Sequence, residues 1–442
     1  MAGPLVLAAA KGTGAGAYLF GSILTVFVGL GAVFFSRDRR MASDFRSALL
    51  FVLLWWSVAP AFAAVPFIIG GLSWDAAYFE AVSALTTTGA WLAPNAMLAD
   101  QAGVLWRAEL QWIGGLASVT IAAAVFIRPA FIGTDTLLPP FSRGDRNSHL
   151  RPIRNAFAAF VGPYFLITVV AVLALLAAGT GIYEAVILAF STLSSGGLTP
   201  REGGLSAFHS GVHVALFPFI LVSGANFVLI ARLMKGDFRR LRDDETKTFL
   251  LIVLVVGALF WLMEGGEGVA RIPSQIFDAA SLLSTNGVVI GSEPPLLIAL
   301  ITAIIGGAAV STAGGFKIVR WLVIMRRARE EIRRLITPSG VFGRSRIANE
   351  LGVWMHFLVF TMTLAGLVLA VTASGHKFEI AVVTATAILS NTGALLALAE
   401  GGGEGYAIFD APLRFILVGG MILGRLEAVA ALALINRAFW RT

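Results

Sequence analysis

Four short segments of the sequence combine glycine with hydroxyl or amide residues, and they recur at intervals of about 100 residues. Each segment follows an apolar stretch of helical character. In such a turn, glycine adopts dihedral angles that point successive backbone carbonyls toward one axis, where they can replace the water around a dehydrated cation. The residues predicted to bind the cation in this way are Thr87, Thr88, Gly89, Ser195, Gly196, Thr285, Asn286, Gly287, Asn391, Thr392 and Gly393.

The four segments align on Gly89, Gly196, Gly287 and Gly393. A half-length helix before each turn would direct its carbonyl end, which carries about half a negative charge, toward the same point. A single turn of this kind could equally mark the close packing of two membrane helices through small residues. Four turns in one register favour a ring of carbonyl oxygens, and therefore a pore for a monovalent cation.

A second glycine cluster lies within an apolar run near residue 300. It predicts a broken helix, because each glycine costs a helix roughly 1 kcal/mol relative to alanine. The cluster ends beside two basic residues, Lys317 and Arg320, at the end of the run that we expect to be cytoplasmic. Its members are Gly306, Gly307, Ser311, Thr312, Gly314 and Gly315.

The elements that must position these residues are membrane helices. Of the 442 residues, 57% are hydrophobic and only 13% are charged, which is too little polar surface for a water-soluble protein of this length. The chain has no cysteine, which excludes disulfides and thiolate metal sites. Apolar runs of about 20 residues suit helices that cross a hydrocarbon core. Nine spans are predicted, at residues 17–36, 47–70, 103–127, 155–178, 207–234, 247–263, 295–325, 351–373 and 412–436.

Lysine and arginine are concentrated in alternate linkers between these spans. The linkers that contain the four glycine turns hold only Arg201, Arg271 and Lys377, so the positive-inside rule places them outside the cell. Because the basic residues lie in short loops beside spans, we do not expect nucleic acid as a partner, despite the net charge of +7. The basic segments, which we expect to be cytoplasmic, are 37–46, 128–154, 232–247 and 317–346.

The repeating unit is a span, a half-length helix, a polar turn and a second span, and it occurs four times. We therefore expect an all-α integral membrane protein with four span–pore helix–span repeats around a central pseudo-fourfold pore, plus one extra N-terminal helix. The predicted boundaries are 1–40 for the N-terminal helix and 41–130, 151–235, 245–330 and 350–442 for the repeats.

Several motifs resemble those of the Trk-type potassium uptake proteins. Residues 110–116 (LQWIGGL) are similar to the start of the helix after the first pore loop in that family, and residues 85–90 (LTTTGA) are similar to its first filter. Residues 306–320, with two GG pairs, resemble the glycine-rich break of its third repeat, and residues 423–427 (LGRLE) resemble its C-terminal motif. The resemblance implies a subunit of the Trk-H kind, in the superfamily that includes the Ktr and HKT proteins.

This resemblance implies uptake of K⁺ across the bacterial inner membrane. In the superfamily a serine at the first filter glycine accompanies sodium permeability, so Gly89 favours K⁺. The broken segment would form an intramembrane gate beneath the filter, although close helix packing through small residues would explain the same glycines. The residues assigned to the gate are Gly306, Gly307, Ser311, Thr312, Gly314, Gly315, Lys317 and Arg425.

The resemblance also implies partners. We expect a homodimer in contact with membrane lipid, with one pore in each subunit. We also expect a cytosolic regulatory subunit of the Trk-A type, which alone would bind nucleotide, and no covalently bound cofactor. The basic stretch Arg326–Arg346 could dock such a subunit or lie against anionic lipid.

Arg425 lies within the last predicted span, where an unpaired charge is costly. Glu427 is two residues away and does not share a helix face with it. We therefore expect a partner on another helix, either Glu109 or the carbonyls of the broken segment. His209 and His213 have metal-ligand spacing on a helix but lack a third ligand, so we expect no metal besides K⁺.

Other functions would leave different patterns. A secondary transporter that couples uptake to Na⁺ or H⁺ would show unwound spans at matching positions in two halves, whereas here the polar turns recur in four outward linkers. A weakly selective K⁺/Na⁺ pore is a further alternative. An enzyme is not expected, because the spans contain no cluster of acidic, basic or metal-binding residues.

Overall fold

The computed structural model describes residues 1–36, 45–126, 150–234, 236, 244–266, 268–291, 293–336 and 351–426. Within these ranges every regular element is a helix, and no strand occurs. Most of the predicted basic segments, at 37–44, 127–149, 237–243 and 337–350, lie outside the described residues, as does Glu427.

Six helices of the described part are long and apolar enough to cross a membrane. They lie at Ala15–Phe35, Ser47–Ile69, Gln101–Val125, Pro152–Ala177, Asp244–Met263 and Gly352–Ala373. Two more spans can be built from bent pairs of helices. These are Ser210–Gly224 with Phe227–Leu233, at 112°, and Gly402–Ile408 with Ala411–Leu426, at 103°.

The predicted span at 295–325 is not a continuous helix. The chain forms Leu296–Ile305, leaves helical geometry at Gly306, and becomes helical again only at Ile318–Ile336. Residues 306–317 between these helices are called the intramembrane loop below. The glycine cluster therefore breaks the helix where the sequence predicted a break.

The N-terminal region contains two helices. Ala15–Ser36 corresponds to the predicted helix, and its outer face is exposed, as expected for contact with lipid tails. The ten-residue helix Ala2–Lys11 precedes it and was not predicted. This short helix packs against the first repeat, because Gly3 lies beside the Glu109 side chain.

Four helices of twelve residues each are too short to cross the membrane, at about 18 Å. Each is predominantly apolar, begins after an outward loop and ends on a leucine that precedes Ser or Thr. They are half-helix 1 (Trp74–Leu85), half-helix 2 (Ile182–Leu193), half-helix 3 (Ile272–Leu283) and half-helix 4 (Phe378–Leu389).

Each half-helix lies between two membrane segments of its own repeat. Prolines 60 and 66 start new helices and divide the first segment of repeat 1 into three pieces. In chain order the segments are Phe45–Ser57, Ala59–Ala63, Val65–Ile69 and Gln101–Ile121 for repeat 1; Leu150–Ala177, Ser210–Gly224 and Phe227–Leu233 for repeat 2; Asp244–Met263, Leu296–Ile305 and Ile318–Ile336 for repeat 3; and Leu351–Ala373 and Ala411–Leu426 for repeat 4.

Short helices complete the described part. A π-helical turn at Ala122–Phe126 extends the second segment of repeat 1. The remaining short helices lie in the outward loops, at Pro94–Met97, Gly204–Ala207, Val269–Arg271, Gly393–Leu398 and Gly402–Ile408.

Glycines in the second segments let the half-helix ends approach closely. A methyl group on Gly114 would meet the carbonyl oxygen of Leu85 at 1.8 Å, and one on Gly424 would meet the carbonyl oxygen of Leu389 at 2.5 Å. Leu85 and Leu389 are the last residues of half-helices 1 and 4. The carbonyl ends of these half-helices are therefore held against the neighbouring span with no room for a side chain.

Replacing Gly114 by alanine tests this contact. The added methyl group cannot fit beside the Leu85 carbonyl, so we expect a loss of stability of roughly 1–3 kcal/mol and a lower Tm. The Tm of the detergent-solubilised protein can be measured from its size-exclusion peak after heating. Gly366→Ala is the matched control, since a Cβ there meets no atom within 4 Å. Equal Tm values for the two variants would contradict the close contact.

Candidate ion pore and gate

The four half-helices end in turns of the same geometry. After the last helical leucine, one Ser or Thr remains near helical geometry and the next residue takes the left-handed conformation. The left-handed residues are Thr87 (φ 55°), Ser195 (φ 60°), Thr285 (φ 57°) and Asn391 (φ 53°). In the part of the chain that the structure describes, Lys317 is the one other non-glycine residue with positive φ.

Hydrogen bonds close each turn onto its half-helix. The N–H group that follows the left-handed residue donates to a carbonyl five residues earlier, as in the Schellman motif at helix ends. The pairs are Thr88 to Ser83 (2.9 Å), Gly196 to Ser191 (2.8 Å), Asn286 to Ser281 (2.9 Å) and Thr392 to Ala387 (2.8 Å).

This common geometry corrects the alignment of the second turn. The glycine two residues after the left-handed residue is Gly89 in turn 1, Gly287 in turn 3 and Gly393 in turn 4. In turn 2 it is Gly197, with φ 66°, and Gly196 takes the position of Thr88. The alignment on Gly196 was therefore wrong by one residue. The leucine and hydroxyl residue at the end of every half-helix are the sequence signal that would have given the right register.

The turns form a closed ring around one axis. A methyl group on Gly89 would meet the Gly196 oxygen at 2.1 Å, and one on Gly197 would meet the Asn286 oxygen at 2.2 Å. A methyl group on Gly287 would likewise meet the Thr392 side chain at 2.9 Å, and one on Gly393 would meet the Ala90 nitrogen at 2.4 Å. Turn 1 therefore touches turn 2, turn 2 touches turn 3, turn 3 touches turn 4, and turn 4 touches turn 1.

Turn 4 departs from the other three. Gly393 has no positive φ, unlike Gly89, Gly197 and Gly287. Its N–H donates to the carbonyl of Thr88 in turn 1 (2.6 Å), and its own carbonyl accepts from the hydroxyl of Tyr406 (3.0 Å). The ring is therefore pinned at its junction between turns 4 and 1.

A cavity of about 320 Å³ lies on the side of this ring that faces the linkers predicted to be outside the cell. All four turn glycines, Gly89, Gly197, Gly287 and Gly393, line it. Trp91 also lines this cavity. The cavity is large enough to hold several water molecules directly above the ring.

The intramembrane loop crosses the opposite side of the ring. The Thr312 hydroxyl is within hydrogen-bond distance of the Ser195 hydroxyl (2.8 Å), and the Gly314 N–H donates to the Thr285 hydroxyl (2.7 Å). The Gly315 N–H donates to the Ser390 carbonyl (3.1 Å). The loop thus bonds to turns 2, 3 and 4.

Arg425 connects the remaining turn to the loop. Its buried guanidinium group donates to the Thr86 carbonyl and the Thr87 hydroxyl of turn 1, and to the Thr312 carbonyl of the loop (2.7 Å). The expectation of loop carbonyls as partners is confirmed for Thr312. Glu109 is not a partner: its carboxylate lies 3.2 Å from the backbone nitrogen of Met1.

Each of the four left-handed residues makes at least one side-chain hydrogen bond in this layer. Thr87, Ser195 and Thr285 bond to Arg425 or to the loop. Asn391 instead donates to the Thr88 hydroxyl (2.9 Å) and to the Met421 carbonyl (3.1 Å). A glycine would relieve the backbone strain but would remove these bonds, which explains why these positions carry side chains.

The first half of the loop is bound to the bend in the second segment of repeat 2. Ala308 donates to the Gly224 carbonyl (2.9 Å), and Phe227 donates to the Val310 carbonyl (2.7 Å). A methyl group on Gly307 would meet the Gly224 oxygen at 2.9 Å. The two helix breaks therefore satisfy each other's backbone groups.

A buried carboxylate completes this junction. Glu245 accepts from the Ala309 N–H (2.6 Å) and from the Asn226 side-chain amide (3.1 Å). Asn226 also caps the helix Phe227–Leu233 by accepting from the Val228 N–H (3.0 Å). Sequence reasoning missed both residues; an acidic residue in the first turn of an otherwise apolar span was the available signal for Glu245.

The remaining gate residues hold the loop's own shape. The Ser311 hydroxyl donates to the Ala308 carbonyl (2.6 Å), and the Lys317 ammonium group donates to the Ala313 carbonyl. Gly306 and Gly315 have φ of 72° and 75° and stand so close together that neither has room for a Cβ. The loop is therefore a packed structure held by bonds within itself as well as by bonds to the turns.

A second, smaller cavity of about 40 Å³ lies on the side of the loop that is predicted to face the cytoplasm. Four basic side chains line it, together with the loop residues Gly314 and Gly315. The loop and Arg425 lie between this cavity and the ring. The basic residues are Lys317, Arg320, His356 and Arg425.

The two histidines with metal-ligand spacing have other contacts. His209 caps the helix Ser210–Gly224 by accepting from the Gly211 N–H (3.2 Å). The Nε2 atom of His213 is 2.8 Å from the Leu205 carbonyl. Among the described residues, no group of three or more His, Cys, Asp or Glu side chains is placed to hold a metal ion.

Comparisons with known proteins cover almost the whole chain. The TrkH family model, described as a cation transport protein, matches residues 66–431. The Trk system potassium uptake protein TrkH of Halomonas elongata is 29% identical over 446 residues, covering 95% of this chain and 91% of that protein. The protein of the same name from Escherichia coli K12 is 28% identical, covering 94% of this chain and 91% of its own.

The fold also matches a solved structure. The crystal structure of the potassium transporter TrkH from Vibrio parahaemolyticus aligns with a TM-score of 0.87 and 24% identity, covering 99% of this chain and 95% of that one. The match confirms the expected all-α membrane fold with four repeats. The chain belongs to the TrkH family of cation transport proteins.

Proposed function

We propose that this chain is the membrane subunit of a potassium uptake system and passes K⁺ into the cell through the ring of four turns. The observation that carries the proposal is the ring itself, in which Gly89, Gly197, Gly287 and Gly393 meet around one axis below an outward cavity. Its curated relatives in Halomonas and Escherichia are named potassium uptake proteins. The setting is the bacterial inner membrane.

Backbone oxygens would select the ion. We assign this role to the carbonyls of the four turns, with Thr87, Thr88 and Gly89 as the pattern in turn 1. Carbonyl rings replace the hydration shell of K⁺ without adding formal charge, so the ion can also leave. In turn 2 the matching set is Ser195, Gly196 and Gly197. The remaining members are Thr285, Asn286, Gly287, Asn391, Thr392 and Gly393.

The intramembrane loop would act as the gate. It bonds to turns 2, 3 and 4, while Arg425 bonds it to turn 1 and brings a positive charge to the inner end of the ring. Both features oppose a cation, one by blocking the path and the other by repulsion. The described conformation is thus assigned to a closed gate, and opening requires the loop and Arg425 to move together.

Control of the gate would come from the cytoplasm. The loop leads directly into the helix Ile318–Ile336, which is rich in arginine. A displacement of this helix would pull on the loop at Lys317. We propose that a cytosolic, nucleotide-binding subunit of the Trk-A type docks near this helix, and that the membrane subunit is a homodimer with one pore in each copy.

We also propose the repeat boundaries 41–130, 151–235, 245–330 and 350–442, preceded by an N-terminal unit at 1–40. A coupled Na⁺ or H⁺ symporter, or a weakly selective pore, is less well supported than K⁺ uptake. The four turns converge on one ring rather than on paired sites in two halves. No enzymatic activity is proposed.

Replacing Gly89 by serine tests the filter. The side chain would collide with the Gly196 carbonyl, at 2.1 Å from the Cβ, in a backbone conformation with φ 71°. We expect wild type to restore growth of a bacterial strain that lacks K⁺ uptake on limiting K⁺, and we expect the variant to restore it weakly or only at low Na⁺. Gly403→Ser, where a Cβ meets no atom within 4 Å, is the matched control.

The interpretation of this experiment also depends on whether wild type restores growth. Each strain should also express a Trk-A type subunit, so that an unopened gate is not mistaken for an absent pore. Absence of rescue by wild type that is demonstrably in the membrane would contradict K⁺ uptake. Equal rescue by Gly89→Ser and Gly403→Ser would contradict the assignment of the filter.

Replacing Arg425 by alanine tests the gate. The substitution removes hydrogen bonds from a charged donor, each worth about 1.5–3 kcal/mol, so we expect the closed state to lose stability and K⁺ flux to rise about tenfold or more. Flux can be measured with purified protein in liposomes, without a regulatory subunit.

The control for this measurement lies on the same helix. Arg414 is paired with Asp75 at the outward end, 3.2 Å away, and does not contact the loop. Arg414→Ala should therefore leave the flux unchanged. An unchanged or lower flux in a folded Arg425→Ala protein would show that this arginine does not hold the gate closed.

A further inference from the structure

We propose that two buried carboxylates, Glu80 and Asp278, brace opposite turns of the ring and thereby set its preference for K⁺ over Na⁺. The inference rests on the proposed potassium uptake, and it assigns a positioning role rather than direct contact with the ion. The residues 90–92 after turn 1 and 288–291 after turn 3 are called outer limbs 1 and 3 below.

The two carboxylates occupy the same position in the repeat. Glu80 precedes Gly89 by nine residues, and Asp278 precedes Gly287 by the same nine. Both lie within half-helices and are buried, at 2% and 0% exposure. A buried carboxylate is costly unless hydrogen bonds satisfy it, so its partners indicate what it is there to hold.

Glu80 holds outer limb 1. Its Oε1 atom accepts from the Leu92 N–H at 2.8 Å, and its Oε2 atom accepts from the Arg107 Nε at 2.7 Å. The Arg107 guanidinium is itself fixed over the Phe67 ring, 4.5 Å from the centroid. The carboxylate therefore ties the chain just after turn 1 to a rigid position between two helices.

Asp278 holds outer limb 3 at the same register. Its Oδ1 atom accepts from the Ile290 N–H at 2.7 Å, and its Oδ2 atom accepts from the Gly291 N–H at 3.0 Å. Ile290 follows Gly287 as Leu92 follows Gly89, three residues later. Different partners thus give the same result, a backbone N–H fixed at the same point of the limb.

Turns 2 and 4 lack this brace. The matching residues are Leu188, which has no polar group, and Thr384, whose buried hydroxyl has no hydrogen-bond partner among the described residues. Because the turns follow one another around the ring in chain order, turns 1 and 3 face each other across the axis. The braces therefore fix one diameter of the ring.

A ring whose diameter is fixed distinguishes K⁺ from Na⁺ by size. Na⁺ is smaller than K⁺, so a ring accommodates it well only if the carbonyls can move inward. The two carboxylates accept the backbone N–H groups of Leu92, Ile290 and Gly291, and these three bonds restrain opposite limbs. Loosening either limb should let the ring contract and admit Na⁺, while K⁺ still passes.

Amide substitutions test the braces with almost no change of shape. Each carboxylate accepts on both oxygens, so Glu80→Gln and Asp278→Asn must turn an NH₂ group toward one donor whichever way the amide is placed. Thr384→Val is the matched control at the same position of half-helix 4. Two readouts are needed: hydrogen exchange of the limbs, and the ratio of K⁺ to Na⁺ flux in liposomes supplied with the Trk-A type subunit that opens the gate.

We expect faster hydrogen exchange at residues 90–92 in Glu80→Gln only, and at 288–291 in Asp278→Asn only, measured by mass spectrometry. In both variants the K⁺:Na⁺ flux ratio should fall by roughly three- to tenfold, with K⁺ flux retained. Thr384→Val should match wild type in both measurements. Unchanged exchange would overturn the proposal, and so would K⁺ and Na⁺ fluxes that fall by the same factor.

The design separates this inference from the proposed function. If wild type passes no K⁺ even with the Trk-A type subunit present, potassium uptake fails, and the brace is then judged by the difference in Tm between KCl and NaCl. Loss of that difference in both variants supports the brace, whereas its persistence, or its absence in wild type, overturns it. If Glu80→Gln cannot be recovered from membranes, the Asp278→Asn variant alone tests the proposal. If neither variant folds, the two carboxylates are needed for folding only, and the proposed role in selectivity is overturned.

Discussion

Non-helical backbone at the depth of a membrane must find its hydrogen-bond partners within the protein, because lipid tails offer none. The four turns and the intramembrane loop are such backbone, and they satisfy one another. Each turn bonds back to its half-helix, and the Gly314 and Gly315 N–H groups bond to turns 3 and 4. Arg425 donates hydrogen bonds to carbonyl groups of turn 1 and of the loop. The ring, the loop and the last span therefore form one interdependent unit.

The same constraint explains why strain is kept at the turns. A left-handed Ser, Thr or Asn costs roughly 1–2 kcal/mol relative to the right-handed form, and glycine would avoid most of that cost. The side chains at these positions are the ones that bond to the loop, to Arg425 or, for Asn391, to the next turn. Packing around the ring holds the strained conformation in place, so filter and gate meet at a single layer.

The four repeats have the same order of elements but contribute different parts of the gate. Repeat 3 supplies the loop, and repeat 2 supplies a bend whose free backbone groups bond to that loop beside Glu245. Repeat 4 contributes Arg425 and the one turn glycine without positive φ. The pseudo-fourfold symmetry thus holds for the half-helices and the left-handed residues that follow them, is broken at Gly393 in turn 4, and is lost in the layer of the intramembrane loop. A pore needs symmetry around the ion, whereas a gate needs one element that can move.

Local patterns in the sequence determined the membrane class, most spans, the four half-helices and the break after Ile305, because these follow from hydropathy and glycine along a short stretch of chain. Only the tertiary structure decided that Gly197 rather than Gly196 corresponds to Gly89, that Arg425 bonds to Thr312 rather than Glu109, and that Glu245 supports the loop. Those choices join residues far apart in the chain, and they depend on distances between packed helices that no local pattern contains.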